Sequence, residues 1–164
     1  MPELLYQVTE EDEEVGPVER AVAHTHGLLH RSGLVFLLRP DARIVIQHRS
    51  PAKATFPDAY DASAAFHVTF GESYAEAAER ELREEAGISA PLRCLGRFIH
   101  HDPPEHQVVA VFLGWSRDPI RIDPSEATGY ELLTRYEVDR RVRDGPVTPW
   151  LRDGWPLAVR FLRT

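Results

Sequence analysis

Glu81, Glu84 and Glu85 stand within the run R-E-L-R-E-E-A-G-I, residues 80–88. On a helix turning by roughly 100° per residue they occupy one sector of the circumference. Carboxylates that close repel one another unless a cation lies among them. Hard divalent metals with oxygen ligands are the natural cation for such a set. Arg80 is the neighbouring fixed charge, and it reads as an internal partner that ties one glutamate to the adjoining loop. The plain alternative is a solvated acidic helix face with no chemistry.

The helix that must carry these groups has both ends written into the sequence. Ser73 and Glu76 form an S-x-x-E capping box, and Gly87 sits where a helix C-terminal glycine belongs. Between them run Ala, Glu, Arg and Leu, without proline or β-branched residues. Ala75, Ala78, Leu82 and Ala86 make the expected buried stripe.

Glu72, Arg80, Glu81, Leu82, Glu84, Glu85, Gly87 and Ile88 together match the pattern E-x7-R-E-U-x-E-E-x-G-U, with U aliphatic. This stretch resembles the Nudix box, whose first position, a glycine, is here Phe66. The resemblance implies a Nudix-type α/β/α sandwich with a loop–helix–loop on which Glu81, Glu84 and Glu85 hold Mg²⁺ or Mn²⁺ against a diphosphate. Glu84 or Glu85 would also help deprotonate the attacking water. A glycine lets the backbone turn tightly toward a metal. With phenylalanine in its place we expect a relaxed loop and weakened metal affinity, the other outcomes being backbone strain or a ring that fills a subsite.

The similarity extends past the box. His24 and His30 before an apolar strand, the stretch HRSPAKATFPDAYDASAAFHVTFGES, and T-P-W-x-x-x-x-W at 148–155 resemble isopentenyl-diphosphate isomerases and the hydrolases grouped with them. By that resemblance His24, His30, His67 and Glu105 form a second metal site, for which Mn²⁺, Zn²⁺ or Mg²⁺ is suited. Arg49 and Lys53 would contact the diphosphate, and Trp155 would wall the pocket, with Trp150 in the core. Isomerisation itself needs a cysteine and a glutamate as proton carriers. Their positions hold Ala65 and Gln107, neither of which titrates near neutral pH. Glu126 is a further candidate base or ligand. The remaining histidines, among them His100, are expected to be surface or satisfied loop residues.

Composition narrows the partners. Nineteen basic against 26 acidic residues give a net charge of −7, which argues against a nucleic-acid polymer but not against a diphosphate held through metal. The single cysteine, Cys94, excludes an intrachain disulfide. No apolar run approaches membrane-spanning length and no signal core opens the chain, so a cytoplasmic protein without membrane association is expected.

At 164 residues, with no linker or repeat, we expect one domain over 1–164. Strands are expected at 3–9, 34–40, 43–50, 61–66, 92–102 and 107–116, with one more before a short helix at 136–145 and another helix in the tail, 147–164. Strands divided by a central helix suggest an α/β fold with a mixed sheet between helical layers. The expected activity is metal-dependent cleavage of a diphosphate linkage in a nucleoside diphosphate derivative or small organic diphosphate, a Nudix-type pyrophosphohydrolase. The alternatives are an isomerase-like enzyme, and a diphosphate-binding module without catalysis.

Overall fold

The segment from Leu34 to Leu38 is apolar at every position, as a strand buried on both faces must be. In the computed structural model, which describes residues 1–162, it forms the centre of β3, His30–Leu38. Successive side chains alternate between two cores. Leu34 and Phe36 join one, Val35 and Leu37 the other.

Nine strands share one mixed sheet. Strands β1 (Leu4–Val8) and β2 (Glu14–Glu19) form an antiparallel pair at one end. On one side, β3 pairs antiparallel with β1, with β4 (Ile44–Arg49) and with β6 (Ala64–His67). On the other it runs parallel to β8 (Glu105–Trp115). Strand β7 (Leu92–Asp102) forms a hairpin with β8, while β5 (Tyr60–Asp61) and β9 (Ala127–Leu133) flank β4.

Helix α2 (Tyr74–Ala86) covers one face, and α3 (Arg135–Asp144) with α4 (Pro149–Val159) covers the other, which completes the α/β/α sandwich. The capping box at Ser73 and Glu76 is formed, and Gly87 closes α2 in the left-handed conformation, φ 67°. The buried stripe is Ala77, Ala78, Leu82 and Ala86; Ala75 faces solvent, because the stripe is centred slightly beyond where the sequence put it. Thr148 caps α4 and Pro149 takes its first turn, where a missing N–H costs nothing. Residues 163 and 164 of the expected tail helix lie outside the described residues. Among the described residues no helix is long and apolar enough to cross a membrane.

Two elements had no counterpart in the sequence reading: β2, and the short helix α1 (Arg20–His26) that ends at Gly27. The expected strand 61–66 is divided into β5 and β6, and β8 begins two residues earlier than expected.

Phe66 corrects the relaxed-loop expectation. It lies in β6 directly opposite Gly33, has no positive φ, and is only 7% exposed. A Cβ added to Gly33 would collide with the Phe66 ring. The ring therefore occupies volume that a glycine on the neighbouring strand leaves free, and a regular strand needs neither strain nor relaxation to hold it.

Candidate active site

The sheet leaves a cleft of about 410 Å³ on the face shared with α4. Several elements build its walls. The box helix contributes Glu81 and Glu85, the end of β4 and the loop after it contribute Arg49 and Lys53, and Glu126 closes the rim before β9. The far end holds Glu3, Arg20 and His24 from the N-terminal elements, with His67 and Glu105 from the sheet.

Helix α2 grades its three carboxylates from core to solvent. Glu85 is 6% exposed and accepts a hydrogen bond from the Ala65 amide at 3.1 Å. Burial, then the charges of Glu81, Asp61 and Glu126, push its carboxyl well above the ordinary range. Glu81 is intermediate, and burial raises it against the opposing effect of Arg80. Glu84 is exposed and does not line the cleft.

Arg80 explains the separation. It grips Glu72 through two hydrogen bonds of 3.1 and 2.7 Å, donates to Glu81 at 2.6 Å, and reaches Glu84 at 3.4 Å. This ties α2 to its preceding loop, and Glu84 stays on the outer side of the guanidinium. Glu84, expected beside Glu81 and Glu85, thus lies outside the cleft on Arg80.

The histidines converge instead. Among the described residues, the one set of three or more metal-ligating side chains with ligand atoms within 4.8 Å of one another is His24, His30, His67 and Glu105. Ring centroids lie 5.6 Å apart for His24–His30, 5.5 Å for His24–His67 and 5.1 Å for His30–His67. The strand register brings them together. His30 of β3 is opposite Gln107 of β8, two residues from Glu105, and Ser32 is opposite His67 of β6.

The His30 Nδ1–H donates to the Leu28 carbonyl at 2.8 Å, which leaves Nε2 as the free lone pair. The Nε2 atoms of His24 and His30 are buried with no hydrogen-bond partner, the condition expected of ligands prepared for a cation. Burial lowers His30 below, and His67 well below, the ordinary imidazole value, so both rings are neutral and able to coordinate at neutral pH. Gln107 donates its amide to Glu105 and fixes that carboxylate, whose Oε2 lies 3.7 Å from His24 Nε2. The donor set fits a divalent transition metal.

Replacing His67 or His30 by glutamine is expected to weaken Mn²⁺ or Zn²⁺ binding about 100-fold. Calorimetric titration checks this directly. Because burial lowers both imidazoles, wild-type affinity should hold through neutral pH and fall only below the ordinary imidazole range. A loss beginning well above that range would show that the rings are not the ligands.

Arg49 and Trp155 depart from expectation, and Trp150, a core residue as expected, also reaches the cleft. The Arg49 guanidinium donates to the carbonyls of Thr55 at 2.8 Å and Phe56 at 3.2 Å, and pairs with buried Asp61 at 3.4 Å. It lines the cleft, yet most of its donors organise the loop that carries Lys53. Trp155 is not a cleft wall. It is 4% exposed, packs on Phe36, and donates to Asp139 at 2.6 Å. Trp150 lines the cleft instead, with its indole N–H held by Asp61 at 3.0 Å. His100, expected near the surface, is buried with Nδ1 2.6 Å from Asp153. The sequence reading gave Arg20 and Glu3 no place in the site. Only the packing of α1 and β1 brings them to the cleft, and no local motif marks them.

Comparison with known proteins fits this geometry. Residues 28–151 match the model of the NUDIX domain family. An uncharacterized Nudix hydrolase of Pseudomonas aeruginosa is 37% identical over 148 residues, 90% of this chain and 88% of that protein. A prenyl-diphosphate phosphatase of Methanosarcina mazei is 33% identical over 92% of each chain. An isopentenyl-diphosphate Delta-isomerase of Cereibacter sphaeroides is 30% identical over 83% of this chain and 82% of its own. A crystal structure of a Deinococcus radiodurans protein superposes with a TM-score of 0.80 at 28% identity, covering 99% of this chain and all of that one.

Proposed function

The chain belongs to the Nudix hydrolase family, and from that premise we propose a metal-dependent hydrolase that cleaves the diphosphate linkage of a small organic diphosphate or nucleoside diphosphate derivative. One observation carries the reading. Glu85 is buried beside Glu81 and Glu126 at one end of a cleft whose other residues include the cations Arg20, Arg49 and Lys53. A buried carboxylate with no bonded cation, as Glu85 is, fits a divalent metal, and the cationic walls fit phosphate.

Glu81 and Glu85 would hold Mg²⁺ or Mn²⁺, with Glu84 joining if it exchanges Arg80 for the metal. Bound metal supplies charge neutralisation at the diphosphate and acidifies water. Lys53 and Arg20 orient the phosphates. Water adds to phosphorus, the bridging P–O bond breaks, and Glu85, or Glu84 once it has swung into the cleft, takes the proton that water loses. The histidine cluster would hold a second metal at the opposite end. Relatives named for prenyl-diphosphate hydrolysis and isopentenyl-diphosphate isomerisation support a diphosphate as the shared substrate element.

The 164 residues work as one unit in this reading, since Glu3, Arg20 and His24 lie before residue 28 and still line the cleft. The reading also makes it a cytoplasmic enzyme, in keeping with one free, exposed cysteine. Isomerisation is disfavoured because Ala65 has no proton to give and Gln107 spends its amide on Glu105. A non-catalytic module would not need Glu85 buried against its own charge.

The test is a panel of nucleotide, sugar and isoprenoid diphosphates with Mg²⁺ or Mn²⁺, read by phosphate release and by the identity of the monophosphate products. A parallel assay follows solvent deuterium into isopentenyl diphosphate. Metal-dependent phosphate release without deuterium incorporation is the expected outcome. Incorporation above a denatured control would instead establish an isomerase with proton carriers other than those assigned.

A further inference from the structure

Lys53 and Glu126 are 73 positions apart in sequence, on different loops, and both line the cleft. Lys53 Nζ donates to Glu126 Oε2 at 2.7 Å. The Glu126 charge is felt at Glu81 and Glu85, so this carboxylate belongs to the field of the box helix. Lys53 is itself carried by a loop that Arg49 anchors through the Thr55 and Phe56 carbonyls. The pair therefore joins the cation proposed for the diphosphate to a carboxylate beside the proposed metal position, across the mouth between them.

We propose that the Lys53–Glu126 pair is a latch that stands in for both ligands: metal draws Glu126 away and frees Lys53, and diphosphate draws Lys53 away and frees Glu126. The physical reason is competition for single partners. An ammonium offers one point charge, and in the latched form that charge is neutralised by a carboxylate rather than aimed at phosphate. A carboxylate bonded to an ammonium is likewise a weaker metal ligand. Each ligand then lowers the cost of binding the other, and the coupling is reciprocal. The inference rests on the diphosphate-hydrolase reading for the identity of the ligands, and adds that metal loading and diphosphate capture are coupled through these two side chains.

The experiment is titration of methylenediphosphonate, a diphosphate that cannot be hydrolysed, into chelator-treated protein by calorimetry, without metal. With the latch cut, Glu126→Gln should bind it roughly three- to fivefold more tightly than wild type, the span available to a partly exposed ion pair. In a Lys53→Met background the same Glu126→Gln change should produce only the smaller gain that loss of one negative charge gives, because there is no ammonium to release. Glu81→Gln removes an equal charge from the cleft without touching Lys53, and should give a smaller gain than Glu126→Gln.

A gain undiminished without Lys53, an equal gain in Glu81→Gln, or no gain at all in Glu126→Gln overturns the latch. Hydrolysis is read separately with wild type and metal. Failure there with the expected binding pattern intact would remove the hydrolase reading and leave the latch. Hydrolysis with no Lys53-dependent gain would do the reverse.

Discussion

Glu85→Gln is expected to lower kcat by about three orders of magnitude while raising the melting temperature of the metal-free protein. The first effect follows from removing a buried carboxylate from the place where charge must be neutralised during cleavage. The second follows from linkage. Burial and the charges of Glu81, Asp61 and Glu126 raise the folded-state pKa of Glu85 above its unfolded value. The folded protein therefore binds a proton more tightly than the unfolded chain, and its stability falls as pH rises above the ordinary carboxylate value. Glutamine removes that penalty. The gain should be present at neutral pH, amount to about 2–4 °C per kcal/mol relieved, and vanish on acidification below the ordinary carboxylate range. Scanning calorimetry at two pH values, beside steady-state turnover, checks both halves. A variant with wild-type kcat would remove Glu85 from the site, and one less stable at neutral pH would contradict its electrostatic account. Glu84→Gln, at an exposed position paired with Arg80, should lose less activity than Glu85→Gln.

Asp61→Ala should destabilise the fold by about 3–5 kcal/mol. Asp61 is fully buried and accepts hydrogen bonds from Thr148 Oγ1 at 3.0 Å, Trp150 Nε1 at 3.0 Å and the Ala62 amide at 2.8 Å, besides pairing with Arg49. It fastens the first turn of α4, the cleft-lining Trp150 and the Lys53 loop to a single point on β5. Removing it leaves the Arg49 charge and two side-chain donors without a partner in a buried place, which costs more than the pair contributes. For a chain of this length the loss corresponds to about 10 °C or more in melting temperature. The contrast is Glu131→Ala, which cuts the partly exposed Arg141–Glu131 pair at 2.8 Å and should cost no more than about 1 kcal/mol. Denaturant melts of the two variants compare them directly. An Asp61 variant within 1 kcal/mol of wild type would show that the loop and helix are held elsewhere.

The bounds of α2, the double-sided burial of β3 and the gathering of carboxylates on one helix were legible in the sequence. Each is a local signal: a capping box and a terminal glycine, an apolar run, carboxylates at helical spacing. Helical periodicity also put Glu81, Glu84 and Glu85 in one sector, but a sector wide enough for three side chains spans the boundary between core and solvent. Only packing against β6 decided that Glu85 meets the Ala65 amide while Glu84 remains outside with Arg80.

The tryptophans show the same limit. Five residues apart on α4, they point roughly 140° away from each other, so the pattern implies that one faces the cleft without saying which. Buried Asp61 draws Trp150 to the cleft, and Asp139 takes Trp155. Phe66 read as a defect because its strand neighbour Gly33, 33 positions away, was invisible as the residue that makes room for it. The sequence by itself determined which residues can ligate metal and which helix presents the carboxylates, since those depend on residue type and short-range spacing. No local signal made His24, His30, His67 and Glu105 converge, which only the family resemblance implied, and the tertiary structure alone decided that Lys53 meets Glu126. Those contacts arise from strand register and loop placement across up to 81 positions of chain, where no local preference constrains the distance.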